Sequence, residues 1–134
     1  MDHKEMTHRQ LADELALVKT MSLVEVPLGR MWENANAVPR ADVLEVKPRY
    51  EDFVVTIYDV KRTRTDLLKS LREEKWKKYL PHCHRFYFAC VKGIVHKRDL
   101  PSGVGLTLRN ENGWYTPEAA AFRDLEIPLD TMKS

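Results

Sequence analysis

Phe53–Val60 reads FVVTIYDV, and Ala41–Val46 before it reads ADVLEV. Both runs are short and rich in β-branched residues, as strands are. The polar link Lys47–Asp52, which carries Pro48, is short enough for a hairpin. Antiparallel pairing about a turn centred between Tyr50 and Glu51 sets Asp42 opposite Asp59. Directly opposed side chains have Cβ atoms only ~5 Å apart, and like charges there are destabilising unless something compensates. A divalent cation would do so. Strand side chains repeat with period two, so Lys61 shares the face of Asp59 while Val60 points the other way. Hard oxygen donors in this number, with room for water and phosphate, suit Mg²⁺ or Mn²⁺ better than zinc. The chemistry such a group supports is phosphodiester hydrolysis. Lys61 would orient or deprotonate the attacking water, or stabilise developing negative charge as an ammonium. Taken singly, each aspartate also reads as a strand-end carboxylate on a solvated face.

Working outward, Thr7–Lys19 carries Leu11, Ala12, Leu15, Ala16 and Val18 at the spacing of an amphipathic helix, with Thr7 as its cap. Ser22–Leu28 reads as a strand broken by Gly29, and Met31–Pro39 (MWENANAVP) as a loop crossing a cleft. After the hairpin, Thr65–Tyr79 reads as a helix and Arg85–Val91 (RFYFACV) as a buried strand. The order is αβββαβ, an α/β (α+β) fold with a mixed central sheet flanked by helices. Val104–Arg109, a turn at Asn110–Gly113 and Trp114–Tyr115 add a C-terminal edge hairpin, with a tail over Pro117–Asp124.

A chain of 134 residues that is 43% hydrophobic suits one domain with one core, here taken as 1–134. Nothing approaches the roughly 20 apolar residues that cross a bilayer, and MDHKEMTHRQ lacks the apolar core of a secretory signal, so the expected location is the cytoplasm, with no membrane partner. Cys83 and Cys90 are too few for a disulfide framework and read as structural thiols. His82, Cys83, His84 and Cys90 have none of the paired spacings of a zinc site. Cys83 and His84, adjacent on an extended segment, point apart rather than forming a nucleophile pair. The absence of a Gly-rich phosphate loop excludes P-loop nucleotide hydrolysis. Charge is concentrated: Lys61–Lys78 holds eight bases against three acids, a local +5 that leaves −3 elsewhere from a net charge of +2. Such a stretch favours a polyanion, although many basic runs are only solvated helix faces.

An acid on the second strand followed by (D/E)-x-K at the end of the third, within αβββαβ, resembles the PD-(D/E)XK nuclease superfamily. Here the match is Asp42, then Asp59-Val60-Lys61. More narrowly, RADVLEV (Arg40–Val46), YDVKRTRTD (Tyr58–Asp66), EKWKKYLPHCHRFYFA (Glu74–Ala89) and PSGVGLTLRNENGW (Pro101–Trp114) look like the MmcB-type DNA repair proteins. The tripartite D/E-x-K pattern is degenerate, and the KW…YLP…C-x-RFYFA run is the more specific of the two. Two departures stand out: the third-strand acid is Asp59 where glutamate is common, and Ala41 rather than proline precedes Asp42.

The resemblance implies a restriction-endonuclease-like core acting on DNA, with Asp42 and Asp59 as metal ligands for Mg²⁺ or Mn²⁺ and Lys61 as the catalytic lysine. On a continuous helix Lys75 falls within the stripe of Leu67, Leu68 and Leu71. It then either reaches the acids or the scissile phosphate, as a fourth catalytic residue, or packs its stem while its amine snorkels to water. Arg62 and Arg64 precede a helix N-terminus where phosphate could dock. Arg40, Arg72, Lys77 and Lys78 read as backbone-phosphate contacts or ordinary exposed charge. Trp76 lies off the apolar stripe, to stack on an unpaired base or to cover a neighbouring loop. Glu14 and Glu25 are outlying candidates for a further carboxylate. The expectation is a metal-dependent endonuclease-like protein of DNA repair or processing; the alternative is a non-cleaving DNA-binding or partner module that keeps the fold. Two-strand cutting would call for a homodimer, and a repair-protein partner is a further expectation.

Overall fold

The computed structural model describes residues 3–18, 22–27, 40–49 and 52–127. Helix α1 (His8–Val18) starts where Thr7 and Gln10 cap each other: Thr7 Oγ1 accepts the Gln10 N–H at 3.1 Å and Gln10 Oε1 accepts the Thr7 N–H at 2.9 Å. Strands β1 (Ser22–Pro27), β2 (Arg40–Arg49) and β3 (Asp52–Lys61) follow as an antiparallel meander, and helix α2 (Arg64–Arg72) leads through a 3₁₀ helix (Lys75–His82) to β4 (Arg85–Val91). Strands β5 (Gly105–Asn110) and β6 (Gly113–Glu118) close the sheet as an edge hairpin. The six strands lie in sequence order; β4 runs parallel to β3 and β5, and the remaining pairs are antiparallel. The expected α+β architecture, with its αβββαβ order and mixed sheet, is therefore observed. The Met31–Pro39 loop lies outside the described residues.

Each sheet face is covered from a different direction. Leu11, Ala12 and Leu15 of α1 are buried on Val43, Tyr58, Val60, Ala89 and Val91. The opposite face carries Val55, Ile57, Phe86, Phe88 and Leu106 beneath Leu67, Trp76 and Tyr79. Fully burying each large apolar side chain contributes about 1.5–3 kcal/mol, which is what fixes these layers.

The helix expected over Thr65–Tyr79 is two elements. Thr63 caps α2 by accepting the Asp66 N–H at 3.2 Å; the helix stops at Arg72, and Glu74 adopts φ 54°, in the left-handed region. On a continuous α-helix Trp76 would sit about half a turn away from Leu67. The break re-phases the chain so that Trp76 stacks on Phe86 at 5.9 Å and meets Phe88 edge-on at 6.5 Å. Burial of the indole accompanies the strained backbone at Glu74.

Candidate active site

Pairing of β2 with β3 runs from Arg49↔Asp52 to Val43↔Tyr58, the register inferred from the turn. The next rung would set Asp42 opposite Asp59. There the backbone ladder gives way: the Val60 N–H donates to Asp42 Oδ2 at 2.8 Å. The Asp42 and Asp59 carboxyl groups lie close enough to act on each other's ionisation. Lys61 Nζ lies 3.3 Å from Asp59 Oδ1. On the other side His8, the first residue of α1, brings Nε2 to 3.2 Å from Asp42 Oδ2. The sequence reading did not single out His8, because a helix-terminal histidine carries no periodic signal.

The electrostatics divide the two acids. Burial pushes the Asp59 carboxyl up, the Lys61 ammonium offsets only part of this, and the charge of Asp42 adds to it, so that it titrates at about 7. Burial also acts on Asp42, but the hydrogen bond and charge of His8 and the Val60 N–H outweigh it and hold the group below the usual carboxylate range. The bond to Asp42 raises His8 above its ordinary value, against desolvation. A carboxyl with a raised pKa beside one with a lowered pKa is what two acids sharing a site produce.

These groups adjoin a cleft of about 330 Å³ between the end of β3 and α2. His8 and Lys61 are on its wall, with Asp42 and the 4%-exposed Asp59 held behind them. Arg62, Lys69 and Lys75 add positive charge to its rim, and Ser70 lines it as well. Ser70 is buried and its hydroxyl oxygen has no hydrogen-bond partner. Among the described residues, no group of three or more His, Cys, Asp and Glu side chains is disposed to hold a metal ion. Asp42 and Asp59 offer two carboxylates, the donor number with which Mg²⁺ sites commonly complete their shell from water and substrate phosphate.

The other residues singled out from the sequence have different surroundings. Lys75 reaches the cleft, but through the 3₁₀ turn rather than a helical stripe, and its amine pairs with Glu73 at 3.0 Å instead of with the acids. Arg62 and Arg72 are exposed, as is Lys78, whose amine lies over the Tyr79 ring at 5.2 Å; Lys77 pairs with Glu74 at 3.1 Å. Three further side chains have partners within the fold. Arg64 donates to the Ile94 carbonyl at 2.9 Å and pairs with Asp99 at 3.0 Å, holding the Asp99 carboxyl down at about 2. Trp76 is buried in the core beneath α2, packed on Phe86 and Phe88. Glu14 pairs with Arg109 rather than joining the acids. The side chains of Arg40 and Glu25 lie outside the described residues. Cys83 and Cys90 are buried free thiols, both pushed up by burial. His84 accepts the Val55 N–H at 2.9 Å and lies 3.2 Å from the Leu125 carbonyl, a structural tie.

A family model described as "DNA repair protein MmcB-like" matches residues 2–124. No curated protein matches the chain. Among solved structures, a protein of unknown function from Silicibacter pomeroyi superposes with a TM-score of 0.65 at 20% identity, over 91% of this chain and 77% of that one. At that identity the likeness is one of fold.

Proposed function

The chain belongs to the MmcB-like DNA repair protein family, and from that premise we propose that it is a metal-dependent endonuclease-like enzyme of PD-(D/E)XK type, hydrolysing phosphodiester bonds of DNA. The observation that carries this reading is the Asp42–Asp59 pair, forced together at the strand ends with Lys61 at 3.3 Å from Asp59. Mg²⁺ or Mn²⁺ held by the two carboxylates would supply positive charge and acidify a bound water. The chain's own residues account for the remaining work. Arg62, Lys69 and Lys75 on the cleft rim attract the DNA backbone, and the positive end of α2 favours a phosphate beside them. Lys61 lies where its ammonium can stabilise charge growing on the phosphate oxygens. Its other role is to orient the attacking water, or to take a proton from it once deprotonated. Val60 N–H fixes Asp42, so the acid is held in place before substrate arrives.

One observation favours a second reading, a DNA-binding module without turnover: both acids already have basic partners, Lys61 and His8, standing between them and the cleft. The two readings separate on plasmid, forked and single-stranded DNA incubated with Mg²⁺ or Mn²⁺. The enzyme reading expects cleavage by the native chain and its loss by about a hundredfold or more in both Asp59→Ala and Lys61→Ala, with the fold retained by circular dichroism. Metal-independent binding without cleavage, unchanged in Asp59→Ala, would establish the binding module instead.

A further inference from the structure

Helix α1 covers only one end of its face of the sheet. Beyond it, the same face opens as a groove of about 440 Å³ lined by Glu45, Thr56, Tyr58 and Tyr87 and flanked by Lys47 and Arg85. Strand alternation puts these residues on the side of the sheet opposite Asp42 and Asp59, so the groove is separate from the cleft.

Glu45 is 3% exposed. Its Oε1 accepts the Tyr58 hydroxyl at 3.4 Å, near the long limit of a hydrogen bond, and its Oε2 is buried with no hydrogen-bond partner. An unmatched buried carboxylate oxygen costs free energy that a donor from a ligand would recover. Beside it the half-buried Tyr87 ring, stacked on the buried Tyr58 ring at 5.2 Å and 19°, gives the groove an aromatic wall. Lys47 is exposed, and Arg85 commits one N–H to the Ala120 carbonyl at 2.8 Å. The groove thus combines a donor-seeking acid, an aromatic wall and a cationic rim.

We propose that this groove binds a guanine nucleotide, free or as a base splayed from a single strand, with Glu45 accepting its ring N–H and exocyclic amine. Among the four DNA bases only guanine places these two donors side by side on one edge. Adenine and cytosine present a ring-nitrogen lone pair there, which a carboxylate repels, and thymine flanks its N–H with two carbonyls. The phosphate falls to Lys47 and Arg85, the base plane to Tyr87, and the volume suits a small ligand of this size. This goes beyond the nuclease reading and does not depend on it, because its readout is binding in the absence of metal.

The test titrates the full chain with dGMP, dAMP, dCMP and TMP by calorimetry. The expected result is binding of dGMP about tenfold or more tighter than the others, loss of that preference in Glu45→Gln, and its retention in Asp59→Asn. A thymine oligonucleotide with one guanine, compared with the same strand abasic at that position, distinguishes the sources: preference there without dGMP binding assigns the site to a strand, and dGMP binding assigns it to free nucleotide as well. Equal affinity for all four nucleotides with no effect of the strand guanine, or a preference unchanged in Glu45→Gln, overturns the proposal. Should Glu45→Gln fail to fold, the exposed variant Lys47→Glu decides: weakened dGMP binding supports the site, and unchanged affinity overturns it.

Discussion

Asp59 carries the conflict at the centre of the molecule. Its carboxyl is buried, faces Asp42 and is only partly relieved by Lys61, so its pKa lies at about 7 in the fold against 3.8 ordinarily. Below the ordinary value both folded and unfolded chains are protonated there, and the conflict costs nothing. As pH rises, the unfolded chain ionises first, and the fold is increasingly penalised until about pH 7. Replacing the acid by its amide removes this penalty. Asp59→Asn is expected to raise the unfolding free energy by roughly 1–3 kcal/mol at about pH 8 and to leave it unchanged at about pH 3, read by urea melts at each pH. A lower stability at the higher pH would mean that the ionised Asp59–Lys61 pair outweighs burial. At this scale the sequence was highly informative for Asp42, Asp59 and Lys61, because turn length and alternation are local quantities that set which side chains oppose. His8 and Ser70 were beyond its reach: each arrives at the cleft from a separate helix.

Between α2 and the rest of the fold, two kinds of basic residue share one stretch of sequence and do different jobs. Arg64 ties the helix start to Ile94 and Asp99, in the connection from β4 to β5. Lys69 lines the cleft and is exposed. If DNA follows the cleft, Lys69→Ala is expected to weaken binding and reduce the slope of log affinity against log salt by about 0.9. Arg64→Ala is expected to leave that slope unchanged and to lower the melting temperature, since it removes an internal tie rather than a phosphate contact. Equal slope losses in the two variants would return Arg64 to the DNA surface. The run of positive charge was legible as a total, but its division between structure and ligand was not, because ion-pair partners such as Asp99 are remote in sequence. The same holds for the end of α2. Helical periodicity continues through Glu73 and Glu74, and the break follows from the burial of Trp76 and Tyr79 against β4.

Across the whole molecule, one sheet separates two apolar layers, and β3 and β4 contribute to both. Val60 and Ala89 face α1, whereas Ile57 and Phe88 face Leu67 and Trp76. Loss of either layer therefore exposes strands that the other layer needs. Leu15→Ala, which empties a fully buried site under α1, is expected to lower stability by about 2–5 kcal/mol while unfolding remains a single transition with an unchanged urea slope. Two separated transitions would show that the layers unfold independently. Local pattern alone was enough for the order αβββαβ, the edge hairpin and the β2–β3 register from Arg49↔Asp52 to Val43↔Tyr58, since alternation, caps and turn lengths involve only near neighbours. The kink at Glu74, the burial of Trp76, the capture of Arg64 by Asp99 and the approach of His8 to Asp42 required the folded chain. Those contacts join segments far apart in sequence, and the gain from packing them together overrides the local preferences of each.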